Sequence, residues 1–103
     1  MRPTALLVAL AILAAPALPA AAAEPMPFVG VWDCEVGTFT FTNETYNPGD
    51  QVMPILEVEE KDGDYHLMFA DDYSVWLSGI SEESMGWLSE ASGDGFTCTR
   101  LYR

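Results

Sequence analysis

The chain has 103 residues, with sixteen Asp and Glu against four Lys and Arg, for a formal net charge of −12. That balance argues against nucleic acid and anionic membrane surfaces as partners, because phosphate binding needs clustered cations. The length allows one small domain, and two cysteines and one histidine offer little to a zinc or copper site.

Residues 1–23 read as a removable secretory signal peptide. Arg2 supplies the positive start, an apolar run follows over residues 5–15, and Ala20-Ala21-Ala22-Ala23 provides the A-x-A cleavage site before Glu24. The apolar run is too short for a membrane span, which needs about 20 residues. No cysteine lies near the cut to carry a lipid. The expected location is therefore periplasmic or secreted. Without the leader, Lys61, Arg100 and Arg103 face all sixteen acids, a net charge of −13. The sequon Asn43-Glu44-Thr45 has meaning only in a eukaryotic secretory pathway.

Residues 24–27 carry two prolines and read as a flexible lead-in to a single domain over residues 28–103. From Phe28 onward the hydrophobic pattern has period two, and no ten-residue stretch has a helical period. Residues 31–36 form the first expected strand, with Trp32, Cys34 and Val36 on one face. Gly37 is expected as a bulge or bend. Residues 38–42 set Phe39 and Phe41 against three threonines, a pattern suited to a half-buried pleated surface. Asn47-Pro48-Gly49-Asp50 is a turn. Residues 55–60 follow as a strand with Leu56 and Val58 facing one way, and Lys61-Asp62-Gly63-Asp64 is an Asp-Gly hairpin turn. Residues 65–69 place Tyr65, Leu67 and Phe69 together. Asp71-Asp72 turns the chain into residues 73–80, and residues 79–84 form a polar connection. Residues 85–89 and 96–101 are the last two strands, with Ser92-Gly93-Asp94-Gly95 between them.

The fold class expected is all-β: a small closed or nearly closed antiparallel meander barrel of six to eight short strands. In an exported protein Cys34 and Cys98 form one disulfide. Because they sit in the first and last strands, the bond makes those strands neighbours and closes the meander. Antiparallel partners have a constant sum of residue numbers. Cys34 opposite Cys98 therefore sets Trp32 opposite Arg100, on one face and within reach of a cation–π contact.

Gly30-Val31-Trp32 at the head of the first strand, with Arg100 on the last, resembles lipocalin-like (calycin) barrels. There a G-x-W packs against a last-strand Arg at the closed end. The resemblance implies the same structural pair here, and a carrier function as one option. In format, the chain is also similar to small exported inhibitors of lysozymes or secreted proteases: a leader, a short antiparallel barrel and one disulfide linking an early to a late cysteine. The inhibitory loop motifs of those proteins are not found in this sequence.

No catalytic residues, cofactor or metal ligands are expected. His66 alternates out of phase with its apolar neighbours and reads as a solvent-facing strand residue. Asp62, Asp64, Asp71 and Asp72 lack calcium-loop spacing and are common turn residues. Tyr73 and Trp76 lie on opposite faces of one strand, so one of them is a candidate surface contact. The expected function is a non-enzymatic exported binding or inhibitor module. It would be monomeric and would engage a basic protein through Asp62, Asp64, Asp71, Asp72, Tyr73 and Trp76. The alternatives are a miniature carrier of a small apolar ligand and a structural envelope protein.

Overall fold

The computed structural model describes residues 24–103; the expected signal peptide at residues 1–23 lies outside them. Among the described residues nine strands form one antiparallel sheet: β1 (Gly30–Asp33), β2 (Thr38–Phe41), β3 (Thr45–Asn47), β4 (Met53–Pro54), β5 (Glu57–Lys61), β6 (Asp64–Met68), β7 (Ser74–Ser78), β8 (Ser84–Ser89) and β9 (Gly95–Tyr102). A single 3-10 turn, Ala70–Asp72, joins β6 to β7. No helix among the described residues is long and apolar enough to cross a membrane.

The sheet runs β4-β3-β2-β1-β9-β8-β7-β6-β5 and curls into a half-barrel. The first and last strands are neighbours, as the disulfide requires. Trp32 pairs with Arg100 and Asp33 with Thr99, and Cys34 is bonded to Cys98 one step beyond. A register shift between Val31 and Trp32 then sets Val31 against Tyr102. The break in the sheet lies mid-chain, between β4 and β5. There Ile55 N–H donates to Glu44 O and Leu56 N–H donates to Met68 O. This two-residue corner carries the chain from beside β3 to beside β6, so the sheet stays open between β4 and β5 and only the covalent chain crosses the gap.

Four local expectations are corrected. Gly37 is not a bulge but the end of a tight turn: Cys34 N–H donates to Gly37 O across Glu35 and Val36, with Glu35 at φ 71°. Val36 therefore leaves the strand and is 64% exposed. Leu56 is also 64% exposed, because it sits in the corner and not in β5. The lead-in at residues 24–27 is tied down. Asn43 accepts from Met26 N–H through Oδ1 and donates to Glu24 O through Nδ2, and Arg100 donates to Pro27 O.

Inside the curl the core is aromatic. Phe28, Trp32, Phe41, Tyr46, Leu67, Val75 and Leu77 are at most 1% exposed, together with the cystine. Phe41 stacks on Tyr46 at 4.7 Å, and Phe28 meets Phe41 edge-on at 5.8 Å. Burying each such side chain contributes about 1.5–3 kcal/mol. The two edges of the sheet are blunted against further pairing. β4 is two residues long and contains Pro54, while β5 carries Glu57, Glu59, Glu60 and Lys61.

Candidate functional site

The half-barrel has a sealed end and an open end. Trp32 and Arg100 make the seal. The Arg100 guanidinium carbon lies 4.2 Å from the centroid of the Trp32 ring. The guanidinium donates to Val29 O at 2.7 Å, Glu82 O at 2.7 Å, Pro27 O at 2.9 Å and Ser81 O at 3.2 Å. The Trp32 indole N–H donates to Phe28 O at 2.9 Å. Burial, with a smaller contribution from Arg103, lowers the Arg100 pKa, and Glu82 opposes them.

The open end holds a cleft of about 410 Å³. Its walls are Val36 from the β1–β2 turn, Phe39 from β2, Tyr46 from β3, Pro48 and Gln51 from the loop that follows, and Met53 from β4. Tyr73, Trp87 of β8 and Phe96 of β9 complete it. A smaller notch of about 220 Å³ adjoins it across Gln51 and Met53 and is bounded by Phe69, Ala70 and Asp71. The rings at the back of the cleft hold one another: Phe39 meets Tyr46 at 5.7 Å and Trp87 at 5.4 Å edge-on, and Trp87 stacks on Phe96 at 5.3 Å. Burial, and then the neighbouring Tyr73, push the Tyr46 hydroxyl well above the usual tyrosine range, while the nearby Trp87 N–H pulls less strongly the other way. That N–H is buried beside the Tyr46 hydroxyl, in a contact short of full hydrogen-bond geometry.

The outer face of β6 and β7 carries a second arrangement. His66 and Trp76 are cross-strand partners whose rings stack at 4.5 Å and 14°. Glu90 closes over them. Its Oε1 accepts from His66 at 2.9 Å and from the Ser74 hydroxyl, and its Oε2 accepts from the Trp76 indole at 2.9 Å. Glu59 lies 3.6 Å from the other ring nitrogen of His66. The three donors from Ser74, Trp76 and His66, in that order, hold the Glu90 carboxyl down to about 2. Ser74 gives its proton to the carboxylate and not to the imidazole, so the group has no nucleophile–base contact. It ties the start of the β8–β9 turn to the sheet.

The six residues expected to form one partner surface are not together. Asp62 and Asp64 sit at the β5–β6 hairpin, where Asp62 and Gly63 have φ of 54° and 89°. Asp71 and Asp72 sit beyond the opposite end of β6, with φ of 62° and 60°. Asp64 Oδ1 accepts from Gly79 N–H at 3.4 Å. Trp76 points outward but is engaged by His66 and Glu90, and Tyr73 faces the cleft against Phe69. Apart from Tyr73, the cleft residues were not singled out for binding in the sequence. The available signal was the aromatic excess across Phe39, Tyr46, Tyr73, Trp87 and Phe96 in so short a domain.

Comparison with known protein families, with curated proteins and with solved structures finds no match.

Proposed function

We propose that this protein is a non-enzymatic exported binding module and that its open-end cleft takes a small apolar ligand. The observation that carries the proposal is the cleft: about 410 Å³, within the range of ligand pockets, and walled by five aromatic rings with an apolar rim. An open cleft at the mouth of a half-barrel suits a ligand held at the rim rather than one enclosed in a calyx. The sealed end, with Trp32 against Arg100, supports the lipocalin-like reading of the scaffold, and the disulfide supports a periplasmic or secreted location. The charged and proline-capped sheet edges support a monomer.

A basic protein partner is the second reading. The formal net charge of −12 and the placement of Asp71 at the smaller notch favour it. The separation of Asp62 and Asp64 from that end leaves only the open end as a common surface. In this reading an apolar side chain of the partner would enter the same cleft.

The test uses the neutral fluorophore N-phenyl-naphthylamine. At about 0.3 kcal/mol per heavy atom, a ligand of that size binds with a Kd of the order of 100 μM. Val36 stands exposed on the rim, so Val36→Asp places a charge at the mouth without touching the core. Saturable one-to-one binding, weakened about tenfold or more by Val36→Asp, is expected. Binding that ignores this substitution would count against the cleft.

A further inference from the structure

We propose that the occupant of the open-end cleft is a small amphiphilic cation, lying with its apolar body among the aromatic rings and its positive group in the adjoining notch beside Asp71. The inference rests on the cleft reading above and adds the charge of the ligand and the direction in which it lies.

The two cavities form one path with unlike ends. The cleft of about 410 Å³ and the notch of about 220 Å³ share Gln51 and Met53 as walls. Five rings line the cleft, whereas the notch is bounded by the Asp71 carboxylate. Asp71 is exposed, and the ion pairs among the described residues engage Glu59, Glu82 and Glu90 but not Asp71. No Lys, Arg or His lines either cavity.

The fold also sorts charge between its two ends. Among the described residues the Lys and Arg side chains are Lys61, Arg100 and Arg103. Arg100 donates to the connection between β7 and β8 at Ser81 and Glu82, and Arg103 pairs with Glu82. Lys61 closes the β5–β6 hairpin, whose Asp64 accepts from Gly79 at the start of that same connection. All three cations therefore stand at the sealed end. The turns around the open end carry Glu35, Asp50, Asp71, Asp72, Glu90 and Asp94 and no Lys or Arg, and only Glu90 of these is held by His66. The potential over the cleft is thus negative, with no local counter-charge. A carboxylate would enter against that field. An uncharged molecule would fill the rings and leave the notch unused. A cation gains from the field and from the ring faces along its way in. A bare polycation would meet the acids but leave the rings uncovered, so the apolar body and the charge belong to one molecule.

The experiment titrates the disulfide-bonded protein with three naphthyl probes of matched shape, naphthylmethylammonium, naphthylmethanol and naphthoate, and with pentalysine. Binding is followed through backbone amides in proton–nitrogen correlation spectra. At about 10 mM salt the ammonium should bind about fivefold more tightly than the alcohol, and naphthoate should bind most weakly. The gap should close in about 1 M salt, where the screening length falls to about 3 Å. The ammonium alone should shift the Asp71 amide strongly. Asp71→Asn should cut the ratio of ammonium to alcohol affinity about threefold, the share of one exposed ion pair. Asp62→Asn removes the same charge from the β5–β6 hairpin at the other end and should leave that ratio unchanged. Both positions have left-handed backbone, which Asn accepts, so neither variant strains its turn. Equal or tighter binding of the alcohol, tightest binding by naphthoate, or a ratio that Asp71→Asn leaves intact would overturn the inference and leave the cleft reading standing. Pentalysine binding as tightly as the ammonium would also overturn it, because charge without an apolar body would then suffice. If no naphthyl probe bound, the cleft reading itself would fall, and this inference with it.

Discussion

Glu90 shows how one surface side chain gathers several elements. Its carboxylate accepts hydrogen bonds from His66 of β6 and from Ser74 and Trp76 of β7, while its own backbone N–H donates to Ser74 O. With its pKa held at about 2 in the fold against 4.5 when free, the group favours the folded state once ionised. The sign follows directly. Its contribution is fully present above pH 4.5 and is lost as pH falls toward 2. Glu90→Gln should therefore lower stability at neutral pH and flatten the acid limb between those values, so that the two proteins converge near pH 2. Urea midpoints measured along a pH series check this, and a carboxyl carbon that titrates in the ordinary range would contradict it. Gly30 is a different single-residue case. Its φ is 145°, and a Cβ there would stand 2.6 Å from Tyr102 O and 2.8 Å from Arg100 Nη1. The glycine of G-x-W is thus the space into which Arg100 reaches on its way to Val29 O. Gly30→Ala should cost about 3 kcal/mol. For a domain of this size that lowers Tm by more than about 10 °C, measurable by thermal circular dichroism.

Among the elements, the β1–β9 pair decides the topology. The disulfide spans 64 residues of sequence, and on the chain-entropy estimate it contributes about 4 kcal/mol. A Cys34→Ala/Cys98→Ala variant should lose most of that in a denaturant titration. Loss of less than about 1 kcal/mol would mean that the ladder alone holds the two strands. This pairing was legible before any coordinates, because a cystine between antiparallel strands sets the sum of partner numbers and so sets Trp32 against Arg100. β6 to β9 and the Asp62-Gly63 turn were legible from alternation and turn chemistry. β3 and β4 were not: three and two residues are too short to display a period. Val36 and Leu56 were misplaced because an apolar residue in a turn or corner keeps the phase of the adjoining strand while its side chain does not. The cleft was hidden for a further reason. Its walls come from five strands and the loops between them, and each ring taken alone reads as core.

For the molecule as a whole, the position of the break in the sheet matters more than the count of strands. The hydrogen-bonded ladder is continuous through both chain ends and interrupted mid-chain at Ile55 and Leu56, so the chain ends are the best-held part of the barrel and the corner the least. The same arrangement governs how the protein would behave under tension. A pull on the two ends would peel β9 from β1 and draw out residues 24–33 and 99–103, about 50 Å of contour. It would then meet the Cys34–Cys98 bond. Residues 35–97, with nearly all of the cleft, lie inside that covalent loop and carry none of the load. The staple therefore makes the open end mechanically independent of a load applied at either terminus.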